Sequence, residues 1–122
     1  MPAIGVDIIE TERVAQTIAK FGDRFLKRIY TDQELAYCQG RVPSLAARWA
    51  AKEAVAKALG TGVGDVSWQE IEIVNDPNKC PSVRLHGAAT ELAGRLKISE
   101  FAVSLSHTKD YAVAFVVGEK II

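Results

Sequence analysis

Residues 46–64, AARWAAKEAVAKALGTGVG, carry the strongest helix signal in the chain and set three charges at its centre. Alanine dominates the stretch, and no residue helixes more readily. Pro43 and Ser44 open the helix and Gly60 ends it. At 100° per residue, Leu45, Trp49, Val55, Ala56 and Leu59 form one broad apolar sector. Ala47, Ala50, Ala51, Ala54 and Ala58 fill most of the remainder. Side chains this small let neighbouring backbone approach closely, so the helix is expected to be covered on more than one side. Lys52, Glu53 and Lys57 interrupt that surface. Glu53 and Lys57, four apart, lie at the edge of the apolar sector beside Trp49, and Arg48 and Lys52, also four apart, lie on the opposite flank. Read alone, such pairs are ordinary surface ion pairs contributing a few tenths of a kcal/mol.

A central helix needs partners, and the flanking sequence supplies them. Residues 3–9, AIGVDII, alternate as a strand, with Ile4, Val6 and Ile8 on one face and Gly5, Asp7 and Ile9 on the other. Thr11 is placed to cap a first helix that carries Val14, Ile18 and Phe21 along one side. Residues 25–30 give no clear signal. Thr31 with Glu34 has capping-box spacing and starts a short helix through Tyr37. QEIEIV and SVRLH, joined by the turn NDPNK, read as a hairpin, and AATELAGRL reads as a helix. EFAVSLS and YAVAFVV, joined by HTKD, are the clearest strand signals. The expectation is an α+β fold, an antiparallel sheet packed against a long helix, in a single domain spanning 1–122.

Composition removes several classes of function. Fifteen basic residues balance fifteen acidic ones, which gives no general attraction for nucleic acid. Cys38 and Cys80 are far apart and belong to no C-x-x-C motif, a pattern that suits a reducing compartment. The opening MPAIGVDIIE lacks the basic start of a signal peptide, and no apolar run approaches the ~20 residues of a membrane span. A soluble cytoplasmic protein is expected.

The chemistry gathers around Asp7. An acid within a β-branched strand is disfavoured, unless it sits near a solvent-facing end. Asp7 with Glu53 is also the one-or-two-carboxylate set with which magnesium is held, its octahedron completed by phosphate oxygens and water. Lys57 and Arg48 would then face phosphate. In SLSHTKD, Ser104 and Ser106 share a strand face, and His107, Thr108 and Lys109 occupy the turn. These donors suit a phosphate pocket, or simply a polar hairpin turn. The GTGVG loop, with Gly60 and Gly62, lacks the Lys-Ser/Thr of a Walker motif. Its place after the charged helix allows backbone contact with a ligand.

IGVDI at 4–8, FLKRIYTDQE at 25–34, RWAAKEAVAKALGTG at 48–62 and SLSHT at 104–108, in this order, resemble the holo-acyl-carrier-protein synthase family of 4′-phosphopantetheinyl transferases. W-x-x-K-E-A-x-x-K is the most specific piece, and Trp49 stands where many members carry Phe. The resemblance implies transfer of the 4′-phosphopantetheine arm of coenzyme A to a serine of an acyl carrier protein, with release of adenosine 3′,5′-bisphosphate. It implies Mg2+ held by Asp7 and Glu53, with Lys57 near the pyrophosphate. It also implies Arg48, His107 and Thr108 near the 3′-phosphate, Ser106 among the residues that bind the cofactor, and Gly60 and Gly62 bordering the nucleotide. The resemblance further implies a homotrimer with sites between subunits and a place in fatty acid biosynthesis. Attack of a serine oxygen on phosphorus needs charge neutralisation and in-line positioning above all. The proton acceptor would be a metal-bound water or Glu53 acting through it.

The stretch ERVAQTIAKFGDRFLKR carries Arg13, Lys20, Arg24, Lys27 and Arg28 against only Glu12 and Asp23. A cationic, partly apolar helix suits an acidic carrier protein, although such a face can also be merely solvated. The alternative function is a non-catalytic nucleotide- or carrier-binding module of the same fold.

Overall fold

The computed structural model describes residues 1–60, 66–78 and 80–121. Strand β1 (Ala3–Glu10) leads into helices α1 (Thr11–Phe21), α2 (Asp23–Ile29), α3 (Asp32–Cys38) and the long α4 (Val42–Leu59). Strands β2 (Ile71–Asn75) and β3 (Pro81–Leu85), helix α5 (Gly87–Arg95) and strands β4 (Ile98–His107) and β5 (Tyr111–Lys120) follow. The strands form two antiparallel sheets, one ordered β1-β5-β4 and one pairing β2 with β3. The α+β expectation holds. No helix among the described residues is long and apolar enough to cross a membrane.

Helix α4 is the centre of the packing. Ala50, Ala51, Ala54, Val55 and Leu59 are buried in one cluster with Ala114 and Val116 of β5, Ile71 and Ile73 of β2, and Phe101 of β4. Ala46 and Ala47 join Val14 of α1 and Ala112 of β5. Leu45 packs with Ile29, Tyr30 and Cys38. Alanine on several sides of one helix thus lets a sheet, a hairpin and three short helices all reach it. Gly60 ends α4 in the left-handed conformation (φ 69°, ψ 21°), and its N–H donates to the last-turn carbonyls.

Three local expectations change. Thr11 is the first residue of α1 and caps nothing; the N-cap is Glu10, without a side-chain hydrogen bond. Residues 25–30 fall within and just after α2, which carries Ile29 into the core. Residues 68–70 form a 3-10 turn before β2 rather than the start of a strand. The Thr31–Glu34 capping box is present at α3.

Arg48 and Lys52 are not a solvated pair. Both are buried, and each has its own partners. Lys52 Nζ lies 2.7 Å from Glu34 Oε1 and donates to the carbonyls of Trp68 (3.0 Å) and Ile71 (2.6 Å). Glu34 Oε2 accepts the N–H of Ile73 at 2.9 Å. The helical wheel gave the azimuth of Lys52 correctly, but the space beyond it is filled by α3 and β2.

The faces of β1 are inverted relative to a simple core strand. Ile4, Val6 and Ile8 are 56%, 51% and 63% exposed, whereas Gly5 is buried and Asp7 and Ile9 turn inward. Ile4 pairs with Val117, Val6 with Phe115 and Ile8 with Val113, so the outer face of the three-stranded sheet is an apolar surface left uncovered by this chain. Contiguous apolar patches of that kind mark interaction surfaces.

Candidate active site

Asp7 and Glu53 reach one another because β1 runs directly along α4. Asp7 Oδ1 accepts a hydrogen bond from Lys57 Nζ at 2.8 Å, and the same ammonium donates to the Val6 carbonyl at 3.0 Å. The Asp7 side chain is 10% exposed and Lys57 58%, so the acid is set into the seam and the amine arches over it from solvent. Asp7 Oδ2 is buried without a hydrogen-bond partner. Burial, and then the neighbouring Asp7 carboxylate, push the Glu53 carboxyl up to about 7, while Lys57 pulls the other way. The Asp7 carboxylate holds the Lys57 ammonium above its usual value.

A buried carboxylate oxygen left unsatisfied beside a second carboxylate is costly by itself. A hard dication would satisfy that oxygen and remove the repulsion, so the residues present fit Mg2+. Among the described residues no group of three His, Cys, Asp or Glu side chains is placed to hold a metal.

Glu53 stands where two grooves meet. One, of about 380 Å³, is bordered by Ile9, Arg13, Phe25, Trp49 and Tyr111. The other, of about 520 Å³, is bordered by Phe21, Arg24, Arg28, Trp49 and Trp68. Trp49 is fixed between Phe25 and Trp68 by edge-on ring contacts at 6.1 and 4.7 Å between centroids. Arg13, Lys20, Arg24, Lys27 and Arg28 are all exposed, and Lys20 Nζ lies over the Phe21 ring at 5.3 Å. Phe25, Trp68 and Tyr111 were not singled out from the sequence. Phe25 and Tyr111 at least lie near basic residues in the sequence, whereas Trp68, in DVSWQEIE, carries no such signal.

Asp7, Glu53 and Lys57 are thus brought together. Arg48 is not with them; its guanidinium hydrogen-bonds Asn75 Oδ1 and lies 4.1 Å from the Tyr37 ring centroid, with Nε buried and unpartnered. Ser106 pairs with Val113 and lies on the open outer face, opposite to Asp7. His107 and Thr108 are exposed at the end of β4, where the turn is closed by Thr108 N–H to the Tyr111 carbonyl at 2.8 Å. Gly60 is exposed at the end of α4. Gly62 lies outside the described residues.

The sequence model of the 4′-phosphopantetheinyl transferase superfamily matches residues 3–116, and the chain belongs to that superfamily. Within it, the chain is 49% identical to the holo-[acyl-carrier-protein] synthase of Herpetosiphon aurantiacus, over 97% of this chain and 98% of the relative. The Helicobacter pylori holo-[acyl-carrier-protein] synthase in complex with coenzyme A superposes with a TM-score of 0.87 at 32% identity, covering 95% of this chain and 99% of the other. The Neisseria meningitidis synthase gives 0.88 at 40% identity, covering 97% and 98%.

Proposed function

We propose that this chain transfers the 4′-phosphopantetheine group of coenzyme A to a serine hydroxyl of an apo-acyl carrier protein and releases adenosine 3′,5′-bisphosphate. The observation that carries the reading is the Asp7–Glu53 pair, in which Asp7 holds a buried oxygen without a hydrogen-bond partner and Glu53 opens onto two grooves flanked by cations. The names of the relatives, and the coenzyme A in the H. pylori complex, support the same substrate pair.

Asp7 and Glu53 would hold Mg2+, which when bound supplies charge neutralisation at the diphosphate. Lys57, exposed above Asp7, would serve as a second positive charge for the same oxygens. Glu53 would also accept the serine proton, acting through a water. The serine oxygen bonds to the phosphorus that carries pantetheine, and the bond from that phosphorus to the bridging oxygen of adenosine bisphosphate breaks. The apolar walls of Phe25, Trp49 and Trp68 limit the water that could compete as acceptor.

The reading extends to assembly. The uncovered face bearing Ile4, Val6, Ile8 and Phe115 needs a partner, and a second and third copy of the chain would provide one, as a homotrimer. Ser106, on the open outer face, with the exposed His107 and Thr108, would then serve the nucleotide of an adjacent subunit, together with Gly60 and Gly62, whereas Arg48, buried and bonded to Asn75, supports the fold. Arg13, Lys20, Arg24 and Arg28 would steer the acidic carrier protein to the grooves. The unpaired Cys38 and Cys80 agree with a cytoplasmic setting, where the holo-carrier product feeds fatty acid biosynthesis.

Intact mass of an apo-acyl carrier protein after incubation with this protein, coenzyme A and Mg2+ tests the reaction. The expected result is a gain of one phosphopantetheine group, lost in Asp7→Ala and Glu53→Ala proteins that remain folded. Coenzyme A consumption with no mass change on the carrier would make the protein a nucleotide hydrolase instead.

A further inference from the structure

We infer that Gly5 is the positioning residue that sets the separation of Asp7 from Glu53, an inference that rests on the proposed metal-binding role of that pair. Gly5 and Asp7 occupy successive inward positions of β1, about 6.6 Å apart along the strand. A Cβ at residue 5 would lie 1.9 Å from the Ala54 carbonyl oxygen, 2.8 Å from its carbonyl carbon and 3.2 Å from the Ala58 nitrogen. Those atoms are helix backbone, so no rotamer change relieves the clash. Ala54 directly follows Glu53 and is itself fully buried, with Ala50, Ala51 and Val55, between the sheet and β2. The helix therefore cannot retreat cheaply, and β1 would have to move off α4 by more than 1 Å, taking Asp7 with it.

Asp7 has no slack to follow such a shift. Its side chain is short, one oxygen is bound by Lys57, and the other is buried in the seam. Magnesium and manganese sites tolerate deviations of only about 0.2 Å in their bonds. A seam opened by more than that would leave Glu53 to bind alone. The glycine acts through the two carboxylates, without touching substrate.

Mn2+ binding to the full chain, followed by electron paramagnetic resonance with coenzyme A saturating, tests this. Gly5→Ala is expected to weaken Mn2+ by about tenfold or more, the scale on which groups supporting a metal site act. Gly94→Ala, whose Cβ would enter open space, is expected to change nothing. Asp7→Glu, longer by about 1.5 Å, is expected to weaken Mn2+ in the wild-type seam but to strengthen it in the Gly5→Ala background. A merely destabilised fold would not show that reversal. Equal Mn2+ affinity in Gly5→Ala and wild type, or a longer acid that harms both backgrounds alike, overturns the inference. If Gly5→Ala does not fold, Asp7→Glu alone decides: wild-type Mn2+ affinity in that variant means the spacing is not critical. Wild-type protein that binds no Mn2+ refutes the metal reading itself, a result distinct from these.

Discussion

Glu53 shares a half-buried seam with Asp7, and the metal-free pair is reconciled while Glu53 keeps its proton and donates it to Asp7. The Glu53 carboxyl is raised to about 7 by burial and by Asp7, whereas an exposed glutamate titrates near ~4.3. Between those values the folded chain binds more protons than the unfolded chain, so stability falls as pH rises through that window. Glu53→Gln should accordingly raise the metal-free Tm at pH 8 and leave it nearly unchanged at pH 4.5. Mg2+ with coenzyme A should reverse the order at pH 8. Differential scanning fluorimetry reads both, and a variant less stable than wild type at pH 8 without metal would contradict the assignment. Lys57→Met should lower kcat by about 100-fold, the scale on which a lost electrostatic donor acts, with a smaller change in coenzyme A affinity. A steady-state comparison showing a KM effect alone would reduce Lys57 to a binding residue.

The elements around α4 are tied together by charge as well as by apolar packing. Lys52 is buried with Glu34, and burial pulls its ammonium below the usual range while Glu34 opposes that shift. Removing one partner leaves the other charge uncompensated, so Lys52→Met should cost about 3–5 kcal/mol. Lys52→Met with Glu34→Gln should recover part of that loss. Urea unfolding checks both, and a single variant within about 1 kcal/mol of wild type would contradict a structural role for the pair. Glu34 was legible as a capping residue because its partner Thr31 is three residues away. Its contacts with Lys52 and Ile73 were not, because they depend on how α3 comes to pack against α4 and β2. The same holds for Arg48, whose partner Asn75 is on β2. The proximity of Asp7, Glu53 and Lys57 was legible because strand alternation and helical spacing place them locally, and the packing of β1 on α4 brings them together. Strand periodicity separated the faces of β1 without saying which was inward, since the apolar face is the one left open.

At the scale of the whole molecule, the proposed assembly rests on that open face. Phe115, on the central strand and 45% exposed, pairs with Val6 in the middle of it. Phe115→Glu should convert the assembly to monomers in light scattering, keep the circular dichroism of the fold and abolish transfer, because Ser106, His107 and Thr108 would lose the neighbouring site. A wild-type chain that is monomeric at assay concentration would contradict a shared site. Arg24→Glu should raise the KM for the carrier protein, with the effect shrinking as salt increases, while coenzyme A binding stays near normal. A carrier dependence unchanged by charge reversal would remove the docking role. The most direct test of the central claim is a crystal structure of the protein with coenzyme A and Mn2+, the ion located by anomalous scattering. One Mn2+ peak is expected, about 2.1 Å from oxygens of Asp7, Glu53 and the diphosphate. A peak elsewhere, or carboxylates that turn away from the diphosphate, would contradict the account.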